Sequence, residues 1–326
     1  MEYTQIPGIS IKVSRIGLGT WAIGGWMWGG TDEQESVRTI WVALDKGINL
    51  IDTAPIYGFG YSEEIVGRAI EEYGGRQNIV IATKAGLQWE NDRILRNSSG
   101  ERIFKEVEDS LKRLRTDYID VYQVHWPDPL VPIEETAGAL KQLLGEKKIR
   151  AIGVSNYSTE QMERFRKVAP LHTSQPPYNL FERDIEDDIL PYCQRKNITV
   201  LAYGALCRGL LTGKMTLETK FHGDDLRKID PKFNSPRYQQ YLNAVRGLDD
   251  FAQQNYNKRV LHLAVRWILD QTGSGIALWG ARRPEQMDPV DDVMGWQLGS
   301  QARKQIDSIL EQTIKDPLGP QFMAPP

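Results

Sequence analysis

The sequence predicts a closed barrel of eight parallel strands, each followed by a helix, and three observations predict it. Short β-branched runs alternate with helical patterns roughly eight times along 326 residues, which is the count of a (β/α)₈ barrel of the TIM type. No linker rich in Pro, Gly or Ser divides the chain and no internal repeat is found, so 1–326 reads as a single domain. Ionisable residues fall at the C-terminal tips of successive strand patterns, where such a barrel carries its active site. The competing fold, a doubly wound open sheet, calls for Gly-x-Gly-x-x-Gly after the first strand. Here Gly17-Leu18-Gly19-Thr20-Trp21-Ala22 lacks the third glycine.

In chain order, residues 3–15 read as an N-terminal β-hairpin turning at Pro7-Gly8. Residues 15–21 form a strand that ends in glycines. Over 33–46, Val37, Ile40, Trp41 and Leu44 make one apolar helical stripe, and Gly47 stops it as a C-cap. Strand 48–51 is followed by a helix opened by Ser62-Glu63-Glu64. Strand 79–83 is closed by Lys84, and after a polar loop helix 103–114 turns Phe104, Val107, Leu111 and Leu114 inward. Strand 119–124 ends at His125-Trp126-Pro127. Helix 132–147 starts with a Pro in its first turn. Strand 151–154 ends at Ser155-Asn156, and Ser158-Thr159-Glu160-Gln161 begins the next helix. A short strand near 173–175, a helix over 184–196 and a strand over 199–203 follow. Residues 216–238 are polar and irregular, 258–271 is an amphipathic helix, and strand 276–279 precedes a helix near 284–293.

Composition narrows the function classes. A hydrophobic fraction of 40% and a charged fraction of 25% are those of an ordinary globular protein. A net charge of −3 gives no reason to expect nucleic acid or an anionic membrane as partner. The first residues have neither the basic nor the apolar segment of a signal peptide, and no apolar run is long enough to span a bilayer. Cys193 and Cys207 form no disulfide framework or metal motif, so no metal is expected and the cytoplasm is the expected compartment.

The stretch 49–58, Asn-Leu-Ile-Asp-Thr-Ala-Pro-Ile-Tyr-Gly, organises the chemistry. Asp52 sits at a strand tip, Pro55 ends the strand, and the loop carries Tyr57 back over the same end. Lys84 and His125 end the next two strand patterns. Tyrosine is a poor acid near neutrality, with an ordinary pKa of about 10. A neighbouring ammonium favours the phenolate, so Lys84, held charged by Asp52, is expected to bring the Tyr57 pKa down. His125 can orient a substrate oxygen. There is no Ser or Cys nucleophile beside the histidine. The set suits proton transfer to a carbonyl oxygen as it gains charge, a reaction that needs a hydride donor such as a nicotinamide.

These residues lie within longer motifs. They are Gly17-Leu18-Gly19-Thr20-Trp21, Ile51-Asp52-Thr53-Ala54-x-x-Tyr57-Gly58, Ala82-Thr83-Lys84, Asp120 through Asp128, Ile152-Gly153-Val154-Ser155-Asn156, Gly209 through Lys214, and Gly280-Ala281-Arg282-Arg283-Pro284-Glu285-Gln286. In that order they resemble the aldo-keto reductase superfamily, most closely its bacterial branch near the potassium-channel β-subunits. The resemblance runs from Ile16 to about Gly295. It implies NADPH-dependent reduction of aldehydes and ketones, with Tyr57 as general acid–base and Asp52, Lys84 and His125 as its partners. It places Thr20, Trp21 and Asp52 near the nicotinamide ribose. Ser155, Asn156 and Gln175 would lie on the carboxamide and Tyr203 on the ring. Gly204, Ala205, Leu206, Cys207, Arg208 and Lys214 would wrap the pyrophosphate. Arg227, Gly280, Arg282 and Gln286 would lie near the adenosine 2′-phosphate, and the two arginines favour NADPH over NADH. Two departures stand out: Val290 falls about where the family has an adenine-side Asn, and Trp279 stands where many relatives have Pro.

Two other readings compete with the reductase: a cofactor-binding regulatory subunit or redox sensor with little turnover, and a dehydrogenase of polyols or sugar alcohols. The expected partner is a small carbonyl or alcohol; a monomer is the default for the fold, and family members vary. Trp21, Trp28 and Trp126, with Tyr57 and His125, are expected to wall an aromatic substrate pocket. His172, His222 and His262 read as structural or solvated, and Cys193 as a packed thiol.

Overall fold

The computed structural model describes residues 1–90 and 93–325. Two short strands, β1 (Tyr3–Thr4) and β2 (Val13–Ser14), pair antiparallel as the expected hairpin. The barrel then closes from eight parallel strands: β3 (Ile16–Gly19), β4 (Leu50–Asp52), β5 (Val80–Ala85), β8 (Ile119–Val124), β9 (Ile149–Ser155), β10 (Thr173–Gln175), β11 (Thr199–Ala202) and β12 (Ile276–Gly280), the last returning to β3. These are the eight strands read from the sequence. The first barrel helices are α1 (Glu33–Asp45), α2 (Tyr61–Tyr73), α3 (Gly100–Leu114) and α4 (Ile133–Gly145), and the later ones α5 (Thr159–Arg166), α6 (Ile189–Lys196) and α8 (Val260–Thr272). Ser158 and Gln161 close a reciprocal capping box at the start of α5, which is why the chain enters a helix there. Among the described residues no helix is long and apolar enough to cross a membrane.

Strand alternation sorts the side chains into two cores. Leu50, Val80, Ala82, Val121, Ala151, Leu201, Ile276 and Leu278 point into the barrel, where Ile6, Ile9 and Val13 of the hairpin region plug its bottom. Their neighbours Ile51, Ile81, Tyr122 and Ile152 point outward onto the helices. Gly17 is inward-facing, and a Cβ there would stand 2.9 Å from both Leu50 and Leu278, so a larger residue would have to displace those two side chains.

The structure adds elements and corrects others. Within the stretch read as a polar loop, β6 (Leu87–Glu90) and β7 (Arg93–Arg96) pair antiparallel over the barrel mouth. Two helices lie outside the sequence reading, α7 (Arg237–Tyr256) and α9 (Ser300–Thr313), and α7 packs on both α8 and α9. The helix expected near 284–293 is two short 3₁₀ turns, Pro284–Gln286 and Asp288–Val293, because Pro284 and Pro289 carry no N–H for an α-helical ladder. The helix expected over 184–196 is likewise a turn, Asp184–Glu186, followed by α6.

Candidate active site

The inward alternation that builds the barrel core continues upward into the site. Two residues beyond Leu50 comes Asp52; beyond Val80 and Ala82 comes Lys84; beyond Val121 come Gln123 and His125. These side chains meet. Lys84 Nζ donates to Asp52 Oδ2 (2.8 Å), to the Thr53 carbonyl (2.9 Å) and to the Tyr57 hydroxyl (3.3 Å). The other oxygen of Asp52 accepts from Gln175 Nε2 (2.7 Å) and Gln123 Nε2 (3.4 Å). Lys84 and Asp52 are both buried, so the ammonium and carboxylate neutralise each other away from water.

Tyr57 reaches this cluster from its loop through a close backbone approach. A Cβ on Gly24 would stand 2.6 Å from the Tyr57 carbonyl carbon, and one on Gly58 would stand 2.2 Å from the Gly24 oxygen. Only glycines allow the two loops to touch there. The Tyr57 ring stacks on Trp21 (centroids 5.8 Å, planes at 21°) and meets the His125 ring edge-on (5.8 Å, 82°).

The electrostatics correct one expectation. Burial first, and then the Asp52 charge, hold the Tyr57 hydroxyl well above its ordinary pKa, so the net shift is upward even with Lys84 beside it. Tyr57 is therefore fully protonated at neutral pH, the form a proton donor needs. Burial lowers the Lys84 ammonium against the opposing pull of Asp52. Burial, then the Lys84 charge, push His125 well below its ordinary value, so its imidazole is neutral.

These groups open onto a cavity of about 390 Å³. Trp21, Trp26, Trp126, Tyr57, His125, Ser155, Asn156, Gln175 and Tyr203 all line it, together with Phe322 and Met323 of the C-terminal tail. Ser155 Oγ donates to the Gln175 carbonyl (2.8 Å), and the Tyr203 hydroxyl donates to Asn156 Oδ1 (2.9 Å). Trp28 is not in that lining. It packs edge-on against Trp21 (5.7 Å), with the Arg227 guanidinium 5.5 Å from its ring, so it supports the pocket wall from outside. Thr20 is fully buried, its hydroxyl donating to the Asp52 carbonyl (2.9 Å), and it braces the strand tip instead of facing the cavity.

The expected phosphate-side residues divide into two groups. Arg208 is turned into the protein, ion-paired with Glu182 and with Asp230 (2.6 Å), while Lys232 holds Glu182 at 2.9 Å. Its side chain is structural, and only the backbone of 204–208 remains for a pyrophosphate. Cys207 is fully buried, and burial pushes both the Cys193 and Cys207 thiols up to about 12, so neither is a reactive thiolate. Lys214 is exposed. Arg227 pairs with Asp225 (Nε to Oδ1, 2.8 Å). Arg282 donates to the carbonyls of Trp28 and Gly30, both at 2.7 Å. Gly280, at the exposed tip of β12, leads into this turn, and Gln286 Oε1 accepts from the Arg282 and Arg283 amides (2.8 and 3.1 Å). Trp279 is explained here: its indole N–H donates to the Gln286 carbonyl (3.2 Å) and pins that turn. Val290 is core, with no exposed surface.

Gln123 is one site residue the sequence reading misses, although it lies two positions before His125 on one strand and so on the same face; Trp26, Arg93 and Phe322 are others. The barrel with an Asp–Tyr–Lys–His cluster at its strand tips defines a carbonyl–alcohol oxidoreductase scaffold. The sequence model of the aldo/keto reductase family matches residues 15–311, and the chain belongs to that family. It is 64% identical to the aldo-keto reductase YhdN of Bacillus subtilis, covering 100% of this chain and 98% of that protein. It is 38% identical to the NADH-specific methylglyoxal reductase of Escherichia coli over 88% of this chain and 91% of that one. Among solved structures it resembles the glycerol dehydrogenase AKR11B4 of Gluconobacter oxydans, with a TM-score of 0.90, 56% identity and 99% of each chain covered.

Proposed function

We propose that this chain is an NADPH-dependent reductase of aldehydes and ketones that also oxidises the corresponding alcohols. The observation that carries this reading is the Lys84 nitrogen shared between Asp52 and the Tyr57 hydroxyl beside an apolar cavity. The donor set fits a nicotinamide. The Trp21 indole N–H is buried without an acceptor, and the Ser155 hydroxyl and the amides of Asn156 and Gln175 match a carboxamide's donor and acceptor. Tyr203 offers an aromatic face. When bound, the cofactor supplies the hydride that no side chain can provide. Tyr57 gives its phenolic proton to the carbonyl oxygen as negative charge builds there. Lys84 stabilises the phenolate left behind and is itself held by Asp52. The neutral His125 donates a ring N–H to the same oxygen and fixes its direction.

The preference for NADPH rests on charge. Besides burial, the neighbouring Arg283 and Arg227 charges lower the Arg282 pKa, and a phosphate would relieve that repulsion. The Escherichia coli relative, named as NADH-specific, supports the other cofactor. Titrating tryptophan fluorescence with each cofactor decides: tighter NADPH binding is expected, and equal or tighter NADH binding would break the phosphate assignment. Loss of reduced-nicotinamide absorbance with an aldehyde panel separates the reductase from a non-catalytic subunit. The likeness to a glycerol dehydrogenase supports polyol oxidation as the second reading, tested by the reverse assay.

A further inference from the structure

We propose that the cavity mouth contains an anion subsite, centred on Arg93, that selects carbonyl substrates carrying a carboxylate distal to the reacting group. The inference rests on the reductase reading above and narrows its substrate class. It comes from the charge inventory of the cavity. Among the described lining residues Arg93 is the one cation, since His125 is held neutral, and no Asp or Glu lines the space. The rest of the wall beyond the catalytic and carboxamide-binding groups is apolar, including Leu87, Ile94, Phe322 and Met323. An arginine at the edge of such a wall acts on a substrate carboxylate through less water than a freely solvated one, and its planar fork matches the two oxygens.

Arg93 is carried by an anchored element. The β6–β7 ladder pairs Leu87 with Arg96 through to Glu90 with Arg93, and Glu90 is not part of the cavity lining. Trp89 packs on Phe59 (5.7 Å), which packs on Trp26 (5.1 Å), tying the strand pair to the cavity rim. At its base Arg96 donates to the carbonyls of Pro127 (2.8 Å) and Pro325 (3.1 Å), with its guanidinium 5.7 Å from the Trp126 ring. One strand therefore holds the C-terminal tail against the pocket with Arg96 and presents Arg93 at the same opening. Arg93 is itself solvent-exposed, and what assigns it to the site is its place on the cavity lining beside the Arg96 anchor.

The test compares para-carboxybenzaldehyde with para-methylbenzaldehyde, which differ in charge at similar size. We expect wild-type protein to favour the carboxylated aldehyde in kcat/KM. Arg93→Gln should lower that preference by about fivefold or more, mainly through KM, and Arg93→Lys should keep part of it. Added salt should erode the preference as it screens the charge. A ratio that Arg93→Gln leaves unchanged overturns the subsite. If neither aldehyde is turned over, the reductase reading fails. The subsite is then judged by binding of benzoate and benzamide, followed by tryptophan fluorescence. Selective weakening of benzoate in Arg93→Gln supports it, and equal benzoate affinity in both proteins overturns it.

Discussion

Lys84 Nζ lies 3.3 Å from the hydroxyl of Tyr57 and 2.8 Å from Asp52 Oδ2. One nitrogen thus joins the Tyr57 hydroxyl, the proposed proton donor, to a fixed negative charge. Replacing Tyr57 by Phe removes the proton but leaves the wall of the cavity, so turnover should fall by about 10²–10⁴-fold while NADPH still quenches tryptophan fluorescence. Near-normal turnover in Tyr57→Phe would refute the assignment.

Replacing Lys84 alone leaves Asp52 buried without its counter-ion. Lys84→Met should cost about 3–5 kcal/mol in urea unfolding and abolish activity. The double variant Asp52→Asn/Lys84→Met removes both charges and should recover much of the stability but none of the turnover. Full recovery of turnover would mean the pair is only structural.

The depressed pKa of His125 makes a pH prediction. Protonation sets in only well below the ordinary 6.5, so kcat/KM should not fall as the pH drops through that value. The acid limb should appear lower, and His125→Gln should change it. An acid limb centred at 6.5 and absent from His125→Gln would show an imidazole in an ordinary environment.

Glu106 gives a stability prediction outside the site. Burial pushes its carboxyl up from 4.5 to about 7, against the ion pair with Arg102 and the Gly86 amide. Its folded-state pKa lies above the unfolded one. Its contribution is therefore complete below about 4.5 and is lost as the pH rises through about 7. Glu106→Gln cannot ionise and should flatten the stability profile over that window in urea titrations. An unchanged profile would mean the carboxyl titrates normally.

The contact of Gly24 with the Tyr57 loop predicts that Gly24→Ala displaces the Tyr57 side chain. The added methyl would overlap the backbone at 2.6 Å. We expect a loss of kcat larger than the loss of cofactor affinity, and a fully active Gly24→Ala would show that the loop adjusts freely.

The barrel was legible because β-branched runs and helical stripes each have a local period, and the strands from 16 to 280 came out in order. The α7 signal was present too, in Tyr238, Tyr241, Leu242, Val245, Leu248 and Phe251, behind the polar stretch 216–238 that masks its start. The alternation Leu87-Gln88-Trp89-Glu90 likewise marks a strand, but only its pairing with β7 makes it one. The cis or trans state of Ser235-Pro236, which is cis, has no such local mark.

Sequence alone determined the barrel, the family resemblance and the four residues Asp52, Tyr57, Lys84 and His125, because each rests on local spacing and on where a strand must end. Tertiary structure decided what those residues and their neighbours face. It turned Arg208 into an ion pair with Glu182 and Asp230, moved Trp28 behind Trp21, and brought Gln123 onto Asp52 and the tail residue Phe322 to the cavity. It also held Tyr57 protonated, because desolvation depends on everything packed around a group and has no trace in the order of residues along the chain.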